Sequence, residues 1–344
     1  MSRLFLEYSG GEAAPGSQGL GGCVCRVSRR RGRVRSVLLS CPGDDTAAQT
    51  VAAACASMAY GMLAGGAPLQ GTAQALLRNM EGDGYGFALV EMDGQGHLRS
   101  VEYQMPAIAL VGRGKCRTPW GGEAVLAGHV ATLREDQIRP GELCCGFSQG
   151  IGRCGAGAAL PGGWGRQGAL AFLRQAYDGS QNAGQMKELF FAACRGLEQG
   201  ADPPGAAFFC RAKEPLPLLL VLGAPRSSQG AEAWARGILA FSGIRAVAGR
   251  QAVEMLQHYS GGAAGEKAPV EWIWPDEEAL QQLLAQTGGE PGEKEQTGKF
   301  WALLEQCTSL RILAGVQAGP GARLAAQLSY RLSLQGKRVE IEYC

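Results

Sequence analysis

The feature that most constrains the fold of this chain is a change in the order of strand-like and helix-like segments near residue 213. Before it, β-type runs follow one another, as in GFALVEMD, HLRSVEYQ and AIALVGRG, separated by turns that contain Gly or Pro. After it, apolar strands such as PLPLLLVL alternate with helix-like segments, which is typical of a parallel α/β sheet. We therefore predict an α+β protein with two domains, residues 1–213 and 214–344, the second smaller and built on a mainly parallel sheet.

Two apolar runs of the first domain are predicted to be its central strands. Val34–Ser40 and Glu142–Ser148 are apolar enough to be buried on both faces of a sheet. In the second domain, four strands are expected in one sheet: Leu216–Leu222, Ile244–Val247, Arg311–Val316 and Val339–Tyr343.

The composition excludes some classes of protein. The chain has 344 residues, of which 46% are hydrophobic and 19% charged, so it should fold rather than stay disordered. The formal net charge of +2 gives no argument for a nucleic acid or membrane partner, and we predict neither. The N-terminus lacks a signal-peptide layout, and we find no run of about 18 apolar residues that would span a membrane. These observations favour a cytoplasmic protein.

Several phrases of the first domain resemble one enzyme family. VRSVLLSCPG and AAACASMAYGMLAGG are similar to its strand, loop and long helix; GFALVEMDGQGHLRSVEYQMPAIALVGRG is similar to its three-strand meander, and GELCCGFSQGIGRCGAG to a later strand and turn. The family is the sporulation-type (SpoIIE-like) branch of the PPM or type-2C metal-dependent Ser/Thr protein phosphatases. The resemblance implies an αββα sandwich. VLGAPRSSQGAEAWARGILAFSGIRAVAGRQAVEML further resembles an α/β extension of clostridial members.

The metal site of that family is degraded in this chain. In such phosphatases two hard divalent cations, Mn²⁺ or Mg²⁺, orient a water and neutralise phosphoryl oxygens, and carboxylates hold the cations. The resemblance places the family's four aspartates at Cys23, Ser40, Gln149 and either Asp202 or Pro203. At least three of these positions lack a carboxylate. We therefore expect no metal cofactor and a pseudophosphatase, which acts as a regulatory or scaffold protein with another protein as its partner.

Two acidic residues near the second position leave an alternative open. If the loop after Ser40 is shifted, Asp44 or Asp45 could replace the lost aspartate. The chain would then be an active phosphatase that uses Mn²⁺ or Mg²⁺ with rearranged ligands. Alternatively, these residues cap the helix that follows, a position that favours Asp.

A group of cysteines suggests a second metal hypothesis. Thiolates suit Zn²⁺ or another soft metal, and five cysteines lie on or after strands that would approach the former phosphatase site. No C-x₂-C pair is present, however, and separated cysteines in apolar strands are usually core residues. The cysteines in question are Cys23, Cys25, Cys41, Cys145 and Cys154.

Two further features concern anions. The turn SRRRGRVRS, with five arginines between Arg29 and Arg35, could bind phosphate groups, but its place between two strands favours a solvated basic turn. The Gly-rich turns of the second domain allow a third function, an anion- or small-molecule-binding module, because parallel sheets bind ligands at the carboxyl ends of their strands. The residues predicted to border that crevice are Gly223, Pro225, Arg226, Gly319 and Gly321.

Overall fold

The chain divides into two compact units, Met1–Glu214 and Pro215–Cys344, one residue after the predicted boundary. Each unit has its own hydrophobic core. This computed structural model describes residues 4–12, 22–30, 32–43, 46–80, 84–203, 205–225, 230–260, 272–274, 303–304, 306–314, 320–334 and 337–343.

The first unit contains strands and helices in an order close to the predicted one. The strands are β1 (Phe5–Glu12), β2 (Gly22–Arg30), β3 (Arg33–Cys41), β4 (Gly86–Met92), β5 (His97–Tyr103), β6 (Ala109–Gly112), β7 (Lys115–Arg117), β8 (Trp120–Leu126), β9 (His129–Gln137), β10 (Leu143–Phe147) and β11 (Ala206–Lys213). The helices are α1 (Thr46–Ala64), α2 (Leu69–Asn79), α3 (Gln149–Gly152), α4 (Gly165–Ala176) and α5 (Ala183–Leu197).

Two antiparallel sheets stack in the first unit. Sheet I has the strand order β2-β3-β4-β5-β9-β8, and sheet II has the order β1-β11-β10-β6-β7. The helices α1 and α2 pack on the outer face of sheet I, and α4 and α5 pack on that of sheet II. A third apolar cluster fills the space between the sheets. This αββα arrangement confirms the predicted fold.

Both predicted central strands are buried on their two faces. In β3, Val37 faces the layer of α1 and α2, whereas Leu38 faces the space between the sheets. In β10, Cys145 faces the layer of α4 and α5, whereas Cys144 faces the space between the sheets. Two-sided burial explains why these runs lack the alternation of apolar and polar residues seen in half-exposed strands.

Two strands have partners other than the predicted ones. The sequence predicts that β6 closes a meander with β4 and β5, but β6 pairs with β10 in sheet II. The sequence also predicts that β9 pairs with β10, because the turn Arg139-Pro140-Gly141 joins them. Instead, β9 pairs with β5 and β8 in sheet I. Sequence reasoning also misses β8 (WGGEAVL), because its two glycines lower its strand propensity.

The helix α1 is long and apolar enough, by length and composition alone, to cross a membrane. The expectation that no run reaches this length is therefore wrong for its 19 residues. In the structure, Ala52, Ala56 and Leu63 are buried against sheet I, and 22% of the apolar window of this helix is buried.

A capping box begins α5. The Asn182 side-chain oxygen accepts a hydrogen bond from the Gln185 N–H at 2.7 Å, and the Gln185 side-chain oxygen accepts one from the Asn182 N–H at 2.8 Å. We expect Asn182→Ala to lower the free energy of unfolding by about 1 kcal/mol, as measured for other N-caps. Urea unfolding would check this. Asn182→Ser, which keeps an acceptor, should lose clearly less; equal losses would contradict the role of the cap.

The second unit is a parallel α/β structure. Its described elements are β12 (Pro217–Leu222), α6 (Ala231–Leu239), β13 (Ile244–Ala248), α7 (Arg250–Tyr259), β14 (Trp272–Trp274), β15 (Ser309–Ala314), α8 (Pro320–Leu334) and β16 (Arg338–Tyr343). They form sheet III, with the order β14-β13-β12-β15-β16, and its strand pairs are parallel. The predicted single parallel sheet is confirmed.

Helices cover both faces of sheet III. Residues of α6 and α7 pack on one face, and α8 packs on the other. The strand order reverses between β12 and β15, which makes their carboxyl ends the switch point of the sheet.

Candidate functional site

Two neighbouring strands of sheet I bring Cys23 and Ser40 together. The two residues are directly opposite in the pairing of β2 with β3, and Cys23 Sγ lies 3.4 Å from Ser40 Oγ. Both residues are partly exposed. They thus form a thiol–hydroxyl pair where the resemblance implies two carboxylates.

Gln149 reaches the same end of the sandwich from sheet II. It follows β10, and its Nε2 donates a hydrogen bond to the backbone oxygen of Gln104 at 2.7 Å. That oxygen lies against Gly86, which pairs with Ser40; a Cβ on residue 86 would be 2.5 Å from it, so only glycine fits. Because Ser40 also pairs with Cys23, the three predicted positions lie at one end of the sandwich.

The remaining predicted positions, Asp202 and Pro203, precede β11, which pairs with the strand before Gln149. The Ser148 N–H donates to the Ala206 oxygen at 2.9 Å, and the Ala206 N–H donates to Ser148 Oγ at 3.0 Å. Asp202 and Pro203 lie just before this doubly bonded position; Asp202 is partly exposed and Pro203 is buried. Asp202 is therefore the acid that remains among the predicted positions.

A carboxylate that sequence reasoning missed, Glu12, also lies at this end. It is the last residue of β1 and pairs with Ala206. Its carboxylate accepts hydrogen bonds from the Cys25 N–H at 3.1 Å and from Arg26 Nη1 at 3.1 Å. The ion pair with Arg26 offsets its charge, which weakens it as a metal ligand. Only the pairing of distant strands reveals this position, so the local sequence carries no signal for it.

The donor set at this end does not fit a pair of Mn²⁺ or Mg²⁺ ions. Hard cations select carboxylates and other strong oxygen ligands, whereas Cys23, Ser40 and Gln149 supply a thiol, a hydroxyl and an amide that is already bonded. Within the described ranges, no group of three or more His, Cys, Asp or Glu side chains is placed to hold a metal ion. Asp44 and Asp45 lie outside the described residues, so a surviving carboxylate there stays a prediction.

The five cysteines of the thiolate hypothesis lie in three different layers. Cys23 and Cys25 face the space between the sheets, Cys41 faces the layer of α1 and α2, and Cys145 and Cys154 face that of α4 and α5. Burial raises the pKa of Cys25 and of Cys41 to about 12, and it also raises the pKa of Cys145. These thiols are therefore protonated near neutral pH and poor metal ligands. The structure does not bring the five together.

The predicted crevice of the second unit is described in part. Gly223 and Pro225 directly follow β12, and Gly223 has a φ of 87°, a conformation that favours glycine. Gly321 lies in the first turn of α8. Arg226 and Gly319 lie outside the described residues. Anion or small-molecule binding in this crevice stays a prediction.

The arginine-rich turn between β2 and β3 contacts the rest of the first unit. The Arg29 guanidinium lies 4.4 Å from the centre of the Phe5 ring. Arg30 and Arg35 donate hydrogen bonds to carbonyl groups in the last turn of α1, where the helix dipole attracts cations. Arg29 and Arg35 are thus partly buried in contacts with the first unit, whereas Arg30 is exposed, as the predicted solvated turn requires.

Comparison with known proteins finds no matching family model and no matching curated protein. Solved structures do match. The RsbU and RsbW domains of Rv1364c from Mycobacterium tuberculosis match with a TM-score of 0.51 and 13% identity, over 69% of this chain and 68% of that chain. The PP2C phosphatase domain of SpoIIE from Bacillus subtilis, with a fragment of its regulatory domain, matches with a TM-score of 0.49 and 10% identity, over 62% and 65%. The PP2C domain of SiaA from Pseudomonas aeruginosa matches with a TM-score of 0.48 and 15% identity, over 59% of this chain and 85% of that chain.

These identities are low enough that the likeness shows the fold and leaves the chemistry to the residues of this chain. The stacked sheets with a helical layer on each side agree with that likeness. The protein has the α+β fold of the SpoIIE-like PP2C phosphatase domains.

Proposed function

We propose that this phosphatase-fold protein has lost phosphatase catalysis and acts as a regulatory or scaffold protein through another protein. The observation that carries the proposal is that Cys23, Ser40 and Gln149 are neutral, which leaves Asp202 as the carboxylate among the predicted positions at this end of the sandwich. Cys23 and Ser40 contact each other, and the Gln149 amide is bonded to a backbone carbonyl.

Electrostatics explains why this donor set opposes catalysis. Two closely spaced dications repel each other, and bridging carboxylates offset that repulsion in two-metal sites. A thiol, a hydroxyl and an amide supply no negative charge. The carboxylate of Glu12 at this end is paired with Arg26 at 3.1 Å. The chain thus keeps the fold of a phosphatase domain, but the negative charge that would hold two dications is reduced.

Hydrolysis assays with added Mn²⁺ test the proposal. We expect the unaltered chain to hydrolyse a phosphoserine peptide and an aryl phosphate at the rate of the solution without protein. Calorimetric titration with Mn²⁺ should show no pair of sites at micromolar affinity, because the carboxylates that would hold the ions are missing.

A triple variant provides the matched comparison. Cys23→Asp with Ser40→Asp and Gln149→Asp should bind Mn²⁺ more tightly than the unaltered chain, since it restores three carboxylates at one end of the sandwich. Mn²⁺-dependent turnover by the unaltered chain, abolished by Asp44→Ala or Asp45→Ala, would refute the proposal. It would establish the alternative of an active phosphatase with rearranged ligands.

A further inference from the structure

A cavity of about 670 Å³ opens on the helix-covered face of sheet I. It lies away from the end of the sandwich that holds Cys23, Ser40 and Gln149, called here the phosphatase-like end. Its volume is in the range of roughly 300–1,000 Å³ that small-molecule sites occupy. Along β3, Arg35 of the cavity is five residues from Ser40, a separation of about 17 Å. One wall is the connection between α1 and α2 together with the first turn of α2, formed by Gly66, Ala67, Pro68, Leu69 and Gln70.

Three arginines on the cavity floor converge on one carboxylate. Glu91 accepts hydrogen bonds from Arg35 Nε at 2.7 Å, from Arg99 Nη2 at 3.0 Å and from Arg33 Nη1 at 3.4 Å. The Glu91 side chain is 10% exposed, whereas those of Arg33 and Arg99 are 48% and 52% exposed. One glutamate offsets one of three positive charges. Guanidinium N–H groups of Arg33 and Arg99 therefore remain available to a ligand.

The surrounding strands add further charged side chains to the cavity. A row of directly opposite residues crosses sheet I in the order Arg35, Glu91, Arg99, Glu135 and Trp120. Within this row two arginines alternate with two glutamates, so the row itself is balanced. The whole lining carries four arginines and three glutamates: Arg33, Arg35, Arg99 and Arg134, and Glu91, Glu123 and Glu135. The arginines therefore exceed the glutamates by one, and Arg134 pairs with Glu102 outside the lining.

The row ends in an exposed aromatic side chain. Trp120 lines the cavity and is 82% exposed, although tryptophan is usually well buried. It lies two strands from Arg99, a distance of about 10 Å. Indole rings stack on planar bases, and guanidinium groups bind phosphate oxygens in a bidentate manner. The distance between Trp120 and Arg99 therefore places a stacking surface and a phosphate-binding surface at opposite sides of one cavity.

We propose that this cavity binds a nucleoside phosphate, with its base against Trp120 and its phosphate groups at Arg99 and Arg33. Glu91 bonds to the guanidinium groups of Arg33 and Arg99, and the partly buried Arg35 links Glu91 to the end of α1. The first turn of α2 closes the cavity on the other side and adds a favourable field for an anion. This inference is independent of whether the phosphatase-like end is active.

Isothermal titration calorimetry of the full chain with AMP, ADP, GMP, GDP and inorganic phosphate tests the proposal. We expect saturable binding of at least one nucleotide. Inorganic phosphate cannot stack on an aromatic ring, so it should bind at least about tenfold more weakly than that nucleotide. Trp120→Ala and Arg99→Gln should each weaken nucleotide binding by about tenfold. Both side chains are at least half exposed, so these variants should keep the thermal midpoint of the unaltered chain.

Arg78→Gln is the matched control. Arg78 is an exposed arginine of α2 outside the cavity lining, and its loss should leave nucleotide affinity unchanged. Absence of nucleotide binding at millimolar concentration would overturn the proposal, as would equal affinities in the two cavity variants and the unaltered chain. Self-association that requires Trp120, without nucleotide binding, would also overturn it and would identify a second copy of the chain as the occupant.

Discussion

Phe190→Ala should lower the free energy of unfolding of the first unit by about 4 kcal/mol, in the range typical of a buried Phe→Ala change. Phe190 lies on α5 and is fully buried at the centre of an aromatic cluster between α4, α5 and sheet II. Its ring centre lies between 5.4 and 6.3 Å from those of Phe147, Trp164, Phe172, Phe191 and Phe209. Truncation removes these contacts together and leaves a cavity that rigid neighbours cannot fill.

The neighbouring residue supplies the control for this prediction. Leu189 is 45% exposed on the same helix, and Leu189→Ala should change stability by less than about 0.5 kcal/mol. Urea unfolding followed by near-ultraviolet circular dichroism, which reports the packing of aromatic rings, measures both variants. A similar loss in the two variants would show that the aromatic cluster adds nothing beyond the truncation of any apolar side chain on α5, because Ala itself favours the helix.

Glu91→Gln should have opposite effects on stability and on ligand affinity. The change leaves the guanidinium groups of Arg33, Arg35 and Arg99 without a carboxylate partner. Removing one member of a buried ion pair costs about 3–5 kcal/mol. Two of the arginines are half exposed, so we expect a smaller loss of about 2 kcal/mol. Nucleotide binding should become about tenfold tighter, because the negative charge nearest to the phosphate groups is gone.

Urea unfolding and calorimetric titration check the two effects separately. Glu188→Gln is a suitable control, since Glu188 is 67% exposed and its ion pair among the described residues is with the adjacent Lys187. It should change neither quantity measurably. Weaker nucleotide binding by Glu91→Gln, with the fold retained, would show that Glu91 helps to bind the ligand rather than competing with it.

Local sequence was sufficient to predict the elements with the strongest patterns. The runs of β3 and β10 are apolar on both faces, and the structure buries them between a helical layer and the opposite sheet. In the second unit, the alternation of strands and helices predicted the parallel sheet, because a crossover helix is what joins neighbouring parallel strands.

Strand partners were harder to predict than strands. The residues of β6 and β9 have ordinary strand patterns, yet β6 joins sheet II and β9 joins sheet I. Alternation along a strand indicates which side chains share a face, but it carries no information about the neighbouring strand. That choice depends on packing across the whole unit.

In both candidate sites, the sequence determined the chemistry of the side chains and the tertiary structure determined their contacts. The sequence by itself determined that Cys23, Ser40 and Gln149 supply no carboxylate, because ligand chemistry depends on residue type. Only the tertiary structure decided that the Gln149 amide bonds to Gln104, since that contact joins the two sheets. It also decided that Glu91 of β4 bonds to three arginines from β3 and β5, the strands on either side of it, in a cavity that Trp120 also lines. Contacts between residues far apart in the chain arise from the pairing of strands, which no local pattern specifies.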